Sequence, residues 1–369
     1  MNKQELRRVA RQLALPGFGM EQQERLHRSR VLVIGAGGLG CPLLQSLAGA
    51  GVGRLSIIDD DVVDLSNIHR QILFGASDEG KPKVEVAAAR LRELQSGISV
   101  SALRTRLDVH NALDLVRAAD LVIDGSDTFA TKYLSADAAE VTGTPLLWGT
   151  VLRFAGQVAL WHSGPGTPGG GVGLRDLFPT QPGPDFTPDC ATAGVLGATT
   201  AVVGNLMATE AIKYLSGLHP VEPGRMTSYN ALNTTLRTVT VSADPARPRA
   251  RELRDSYEEA CALPAPADNH ALLEELRAGT ATALDVREPH ESLLADLPAP
   301  ILPRRLPLST LDDAEEEKVR AALGALPTRR VVVYCASGRR SAEFVRNYSA
   351  LAQKLGYDLL NLPGGVPRP

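Results

Sequence analysis

Two groups of residues in this 369-residue chain have types and spacings suited to chemistry. The first suits a phosphate. Gly35, Gly37 and Gly40 stand in G-x-G-x-x-G spacing, directly after the apolar run that begins at Arg30. The first glycine permits a tight turn, the second lets the backbone approach a phosphate, and the third lets a helix pack on a strand. Asp59 ends the next apolar run, Leu55 to Ile58, about 20 positions further on, where a carboxylate can take ribose hydroxyls. Lys81 and Lys83 flank Pro82 just before a helical pattern. A lysine at a helix start beside a nucleotide is a phosphate contact or an ordinary surface charge. Asp127 follows the buried-type run Ala119 to Asp124. At that strand end it reads as a metal or phosphate-site carboxylate, or as the N-cap of the helix that follows.

The second group suits a sulfur nucleophile. Cys335 follows the apolar strand pattern Val331 to Tyr334 and opens the loop Cys335-Ala336-Ser337-Gly338-Arg339-Arg340-Ser341, after which a helix begins. Backbone N–H groups, a helix N-terminus and guanidinium charge around a cysteine suit a nucleophilic thiolate. A thiol phosphatase needs C-x5-R, but the residue six after Cys335 is Ser341. The shorter loop fits a sulfur atom. Cys190 is less decided by position. It ends a Gly/Pro-rich stretch, residues 163–189, and precedes a helix of small residues. It reads as a nucleophile or as a small buried hydrophobe.

These groups require strands to present them. Apolar runs alternate with helical patterns from residue 30, and two strand patterns, Pro145 to Thr150 and Gly156 to Trp161, then follow in series. That order predicts an α/β fold, Rossmann-like, with a mostly parallel, mixed sheet. Residues 1–29 read as two polar helices broken at Pro16-Gly17, with Arg11 on a solvated face. Residues 227–243 read as two strands. The expected organisation is a nucleotide-binding domain over 1–243, a Pro/Ala/Arg-rich linker over 244–267 and a second α/β domain over 268–369.

Composition narrows the partners. A hydrophobic fraction of 44% supports cores in both parts. A net charge of -3 provides no basic face for nucleic acid. No apolar run reaches the length of a membrane span, and no signal-like segment opens the chain, so a cytoplasmic protein is expected. The four cysteines, Cys41, Cys190, Cys261 and Cys335, form no C-x-x-C pair. That speaks against a disulfide framework and a zinc ribbon.

Further strings carry a family resemblance. Residues 5–243 resemble the MoeB/ThiF-like adenylylating enzymes related to ubiquitin activation. The matching strings are G-A-G-G-L-G, D-x-D-x-V-x-x-S-N-I-x-R-Q (Asp59 to Gln71), G-K-P-K-V-E, D-G-S-D, F-A-G-Q-V and C-A-T-A-G-V-L-G (Cys190 to Gly197). From about residue 268 the chain resembles a rhodanese, on L-D-V-R-E-P-H-E (Leu284 to Glu291), V-V-V-Y-C-A-S-G-R-R-S-A and N-L-P-G-G-V. The first resemblance implies ATP and Mg²⁺ as cofactors. Asp59 would hold the ribose, Asn67, Arg70 and Lys83 the polyphosphate, and Asp127 the Mg²⁺, with Gln71 also among the nucleotide-binding residues. Arg11 would reach into a partner subunit of a homodimer, and Cys190 would capture or relay the activated carrier. The second implies a persulfide on Cys335, held by Gly338, Arg339, Arg340 and Ser341.

Together they imply adenylylation of the C-terminal Gly-Gly of a ubiquitin-like sulfur carrier protein, then sulfur transfer from a donor such as a cysteine desulfurase. Many relatives of the first domain bind zinc through two C-x-x-C pairs; here Gly173, Asp176, Arg247 and Ala250 stand at those positions, so no structural zinc is expected. An adenylylating enzyme acting on a peptide, a non-catalytic carrier-binding scaffold and a nicotinamide-dependent oxidoreductase are the competing readings.

Overall fold

The computed structural model describes residues 3–182, 194–257, 269–311 and 315–366. The chain forms two compact units, residues 1–259 and 260–369. The first opens with α1 (Lys3–Leu13) and α2 (Met20–Arg28), the two polar helices. Next come β1 (Arg30–Ile34), α3 (Gly40–Ala50), β2 (Arg54–Ile58), α4 (Lys83–Leu94), β3 (Ser99–Leu103), α5 (Ala112–Arg117) and β4 (Leu121–Asp124). They lead to α6 (Phe129–Thr142), β5 (Leu146–Leu152), β6 (Ala155–Ser163), β7 (Gly171–Val172), α7 (Leu174–Leu177), α8 (Gly197–Ser216), β8 (Arg225–Asn230) and β9 (Thr235–Thr240).

These strands make one nine-stranded sheet in the order β3-β2-β1-β4-β5-β6-β8-β9, with β7 on β6. The pairs from β3 to β5 are parallel and those from β5 onward antiparallel. Central strands buried on both faces read as unbroken apolar runs. Val31, Leu32, Val33, Ile34, Leu121, Val122 and Ile123 are all buried. Gly40 opens α3 hard against the turn: a Cβ there would lie 2.0 Å from the Gly35 carbonyl oxygen. The third glycine of the fingerprint is therefore a packing requirement.

Within the Gly/Pro-rich stretch the structure forms β7 and the short helix α7, which periodicity did not announce. Cys190 and Cys261 lie outside the described residues. The segment 244–257, read as the start of a linker, packs on the first unit through Arg247, Arg249 and Tyr257. Its apolar content is too sparse to reveal this, because ion pairs and hydrogen bonds rather than apolar contacts hold most of it.

The second unit carries α9 (His270–Arg277), β10 (Thr282–Asp285), α10 (Glu291–Leu294), β11 (Arg304–Arg305), α11 (Glu315–Gly324), β12 (Arg330–Tyr334), α12 (Arg339–Lys354) and β13 (Asp358–Asn361). Its four strands are parallel in the order β11-β10-β12-β13. β12 is central, and Val331 through Cys335 are fully buried. No helix among the described residues is long and apolar enough to cross a membrane.

Candidate active sites in the two units

The first site lies beyond the C-terminal ends of β1, β2 and β4, where open α/β sheets bind ligands. A cavity of about 350 Å³ opens there, lined by Gly35, Gly37, Asp59, Arg70, Gln71, Lys83 and Asp127 among others. Gly35 adopts φ +92, a left-handed conformation that glycine takes without strain. Asp59 is clamped: one oxygen accepts the Ala36 N–H at 2.8 Å and the other the Asp61 N–H at 2.9 Å. Burial pushes its carboxyl up, against the pull of those N–H groups and Lys83.

Of the two lysines, only Lys83 reaches the cavity. It is buried, with Nζ 2.8 Å from Asp61, whereas Lys81 is exposed and pairs with Asp78. Arg70 donates to Asn67 and, at 3.3 Å, to the Ser66 carbonyl. Asn67 does not line the cavity and instead holds the arginine that does. The buried Oε1 of Gln71 has no hydrogen-bond partner. An orphaned acceptor beside a cavity calls for a donor from a ligand or water.

The β4–α6 turn is built from below. Buried Asp124 accepts from the Ser126 N–H at 2.9 Å and from the Ser135 hydroxyl. Lys132 lies 3.7 Å from Asp124 and donates to the Gly149 carbonyl at 2.7 Å. Thr128 caps α6 by accepting the Thr131 N–H, so Asp127 is not the cap. Its exposed carboxylate faces the cavity. An oxygen ligand at a polyphosphate-sized cleft suits Mg²⁺, which binds through one or two carboxylates plus phosphate. Arg11 is exposed on α1 and is not among the residues lining the cavity.

Sequence reasoning did not name several lining residues. Thr105, Arg106 and Leu107 follow β3 and were findable by the strand-end rule. Thr200 was not: it arrives on α8, and a Cβ at Gly38 would lie 3.2 Å from its methyl. Cys41 sits at the root of the same helix as the glycine turn, but burial pushes its thiol up to about 12. It is packing, with its sulfur against the Ala36 carbonyl.

The second site is the loop after β12. Cys335 Sγ accepts the Gly338 N–H at 3.1 Å and the Ser341 hydroxyl at 3.4 Å. Arg340 turns from the sulfur to fork onto Glu291 at 2.7 and 2.5 Å. Arg339 is exposed. The L-D-V-R-E-P-H-E string serves as the loop's frame. Buried Arg287 forks onto Asp285 and reaches Asp296, Glu288 accepts from the Ser309 N–H, and Glu291 takes Arg340. Glu291 stood in the quoted string without an assigned role. The Gly364-Gly365 turn lies beneath: the Val366 N–H donates to the Cys335 carbonyl at 3.0 Å.

The four positions at which zinc ligands were sought do converge, but with other chemistry. Arg247 forks onto Asp176, Asp176 accepts the Gly173 N–H, and the Ala250 N–H donates to Glu140. One carboxylate already engaged by arginine is no tetrahedral zinc set. The residues present do not fit that metal.

Comparison with known proteins agrees with both units. The ThiF family model matches residues 9–249, and the rhodanese-like domain model matches residues 268–368. A probable adenylyltransferase/sulfurtransferase MoeZ of Mycobacterium tuberculosis is 40% identical, over 99% of this chain and 93% of that protein. The sulfur carrier protein adenylyltransferase of Thermus thermophilus is 46% identical over 71% of this chain and 98% of its own length. Bovine adenylyltransferase and sulfurtransferase MOCS3 is 37% identical over 99% and 86%. Among solved structures, E. coli MccB with MccA-N7isoASN has a TM-score of 0.58 at 20% identity, covering 68% of this chain and 76% of that one, a likeness of fold. The chain therefore belongs to the ThiF family, as an adenylyltransferase joined to a rhodanese-like sulfurtransferase domain.

Proposed function

We propose that this enzyme adenylylates the C-terminal Gly-Gly carboxylate of a ubiquitin-like sulfur carrier protein with ATP, then converts the adenylate to a thiocarboxylate. The observation that carries the reading is the coexistence of two sites in one chain. One is a glycine-turn cavity with Asp59, Arg70, Lys83 and Asp127 on its wall; the other is a cysteine whose sulfur accepts one backbone N–H and one hydroxyl. Relatives named for both activities cover nearly the whole chain, and a further relative, matched over 70% of it, is named a SAMP-activating enzyme E1.

The carrier carboxylate attacks the α-phosphate of ATP, and pyrophosphate leaves. Two anions must meet, so the residues work by positioning and charge neutralisation. Asp59 takes the ribose hydroxyls. Arg70, oriented by Asn67, and Lys83 hold the polyphosphate, while the free Gln71 Oε1 is left to accept from a hydroxyl of the nucleotide or a water. Gly37 leaves room for the backbone to approach. Mg²⁺, held by Asp127, would neutralise phosphate charge. The terminal sulfur of a Cys335 persulfide then attacks the acyl carbon, AMP leaves, and an acyl disulfide forms. An external thiol attacks the Cys335 sulfur and the thiocarboxylate leaves with the electron pair; a second external thiol then frees Cys335 from the mixed disulfide. Cys190 is assigned to capture or relay of the activated carrier. Gly338 and Ser341 stabilise the sulfur anion through the N–H and hydroxyl that already face it. A cysteine desulfurase is a suitable persulfide source.

Arg11, exposed on α1, would complete the cavity of the partner subunit in a homodimer. No structural zinc is part of this reading, because Gly173, Asp176, Arg247 and Ala250 stand at the positions concerned and Arg247 already pairs with Asp176. The test is a split of activities. Cys335→Ala should keep carrier-dependent ATP–pyrophosphate exchange and lose thiocarboxylate formation, while Asp127→Ala should lose both. Exchange lost in Cys335→Ala, or retained in Asp127→Ala, refutes the assignment concerned.

A further inference from the structure

Residues 244–257 contain no helix or strand, yet they are bonded to the first unit at two charged anchors. At the first, Arg247 lies between Glu140 and Asp176. It contacts Asp176 at 2.8 and 3.0 Å and Glu140 at 3.0 and 2.7 Å. Arg249 adds 3.2 Å contacts to both carboxylates and donates to the Gly171 carbonyl. The Asp244 and Ala250 N–H groups fill remaining lone pairs of Asp176 and Glu140. All three central side chains are nearly inaccessible, at 7%, 5% and 0% exposure. At the second anchor, the Tyr257 hydroxyl donates to Asp137 at 2.6 Å, and Arg175 forks onto the same carboxylate. Gln181 donates to the Tyr257 carbonyl at 2.9 Å.

Asp137 and Glu140 both stand on α6, the helix whose first turn lines the nucleotide cavity. We infer that residues 244–257 are an electrostatic strap that fixes the origin of the interdomain connector, so that only residues 258–268 tether the sulfurtransferase unit. The inference rests on the two-step reading above. Those eleven residues can span at most about 40 Å. Released from both anchors, the tether would run from residue 244, and its reach would rise to about 90 Å. Effective concentration falls as roughly the −3/2 power of tether length, so release would cost about threefold in delivery from Cys335. Arg247, Tyr257 and their carboxylates are then positioning residues for sulfur transfer.

The test uses the full chain, its carrier and two sulfur sources. One is a persulfide loaded on Cys335. The other is free hydrosulfide, whose sulfur attacks the acyl carbon of the adenylate directly, releasing AMP and a proton. The Arg247→Ala/Tyr257→Ala double variant, which breaks both anchors, should expose the 244–257 amides to hydrogen exchange and slow Cys335-dependent thiocarboxylate formation about threefold. Hydrosulfide-supported formation and pyrophosphate exchange should stay unchanged. A second variant keeps the strap and inserts fourteen Gly/Ser residues within 258–268. It should show the same threefold loss with the strap amides still protected. An unchanged rate in the insertion variant overturns the inference, as does an equal fall with both sulfur sources. Absent pyrophosphate exchange in the unsubstituted enzyme would instead refute the adenylylation reading. Protection of the strap amides would still report on the anchors.

Discussion

Gly365→Ala should damage sulfur transfer from a position well away from the nucleophile in sequence. Gly365 has φ +71, where an L side chain costs about 1–2 kcal/mol. Sterics add to that. A Cβ there would lie 2.2 Å from the Cys335 carbonyl oxygen and 2.6 Å from the Ala336 carbonyl. Real contacts of that type need at least 3.0 Å. The carbonyl cannot retreat freely, because the Val366 N–H holds it at 3.0 Å and β12 behind it is buried. The loop must therefore move by about 1 Å, and a displacement of that size at a reacting atom costs on the order of 100-fold in rate. The Gly338 N–H and Ser341 hydroxyl would lose their alignment on the sulfur. Gly365→Ala should thus cut Cys335-dependent thiocarboxylate formation about 100-fold and leave carrier-dependent pyrophosphate exchange unchanged. Single-turnover assays with preformed adenylate measure the first, and labelled pyrophosphate the second. Unaltered sulfur transfer in a folded Gly365→Ala protein would show that the glycine turn does not set the loop.

Two further outcomes follow from the charged cluster around Arg247. Purified protein should contain less than a stoichiometric amount of zinc, and a chelator should leave its Tm unchanged; one zinc per chain would overturn this. Stability should also depend on Glu140 in acid. Burial alone would push the Glu140 carboxyl up, but Arg247, the Ala250 N–H and the Ser163 hydroxyl hold it down at about 2. A depressed carboxylate contributes stability that is present above its unfolded value of about 4.5 and is lost as pH falls through about 2. Its contribution is on the order of 2 kcal/mol. Tm against pH should therefore fall less steeply between pH 4.5 and 2 in Glu140→Gln than in the unsubstituted protein, from a lower starting point at pH 7. Parallel curves would remove Glu140 from that role.

Much of both sites was legible because local rules produce them. The glycine spacing, the acid at the end of β2 and the cysteine after β12 are consequences of strand–turn–helix geometry, which repeats within short windows. Lys83 and Lys81 show where that stops. Both flank one proline, and only the fold buries one beneath the cavity while exposing the other. Asp127 and Thr128 divide similarly: the cap fell to the threonine, which a reading of residue types alone left open.

Two α/β units, a glycine turn at Gly35–Gly40 and a short loop opening on Cys335 were readable from the sequence, since periodicity and turn chemistry act between near neighbours. Tertiary structure decided what joins distant residues. Thr200 reaches the cavity only because α8 packs against the glycine turn. Arg247 finds Glu140 across 107 positions, turning an apparent linker into a strap. Charge pairs of that separation leave no periodic trace, because an arginine in a Pro-rich segment looks the same whether water or a buried carboxylate receives it.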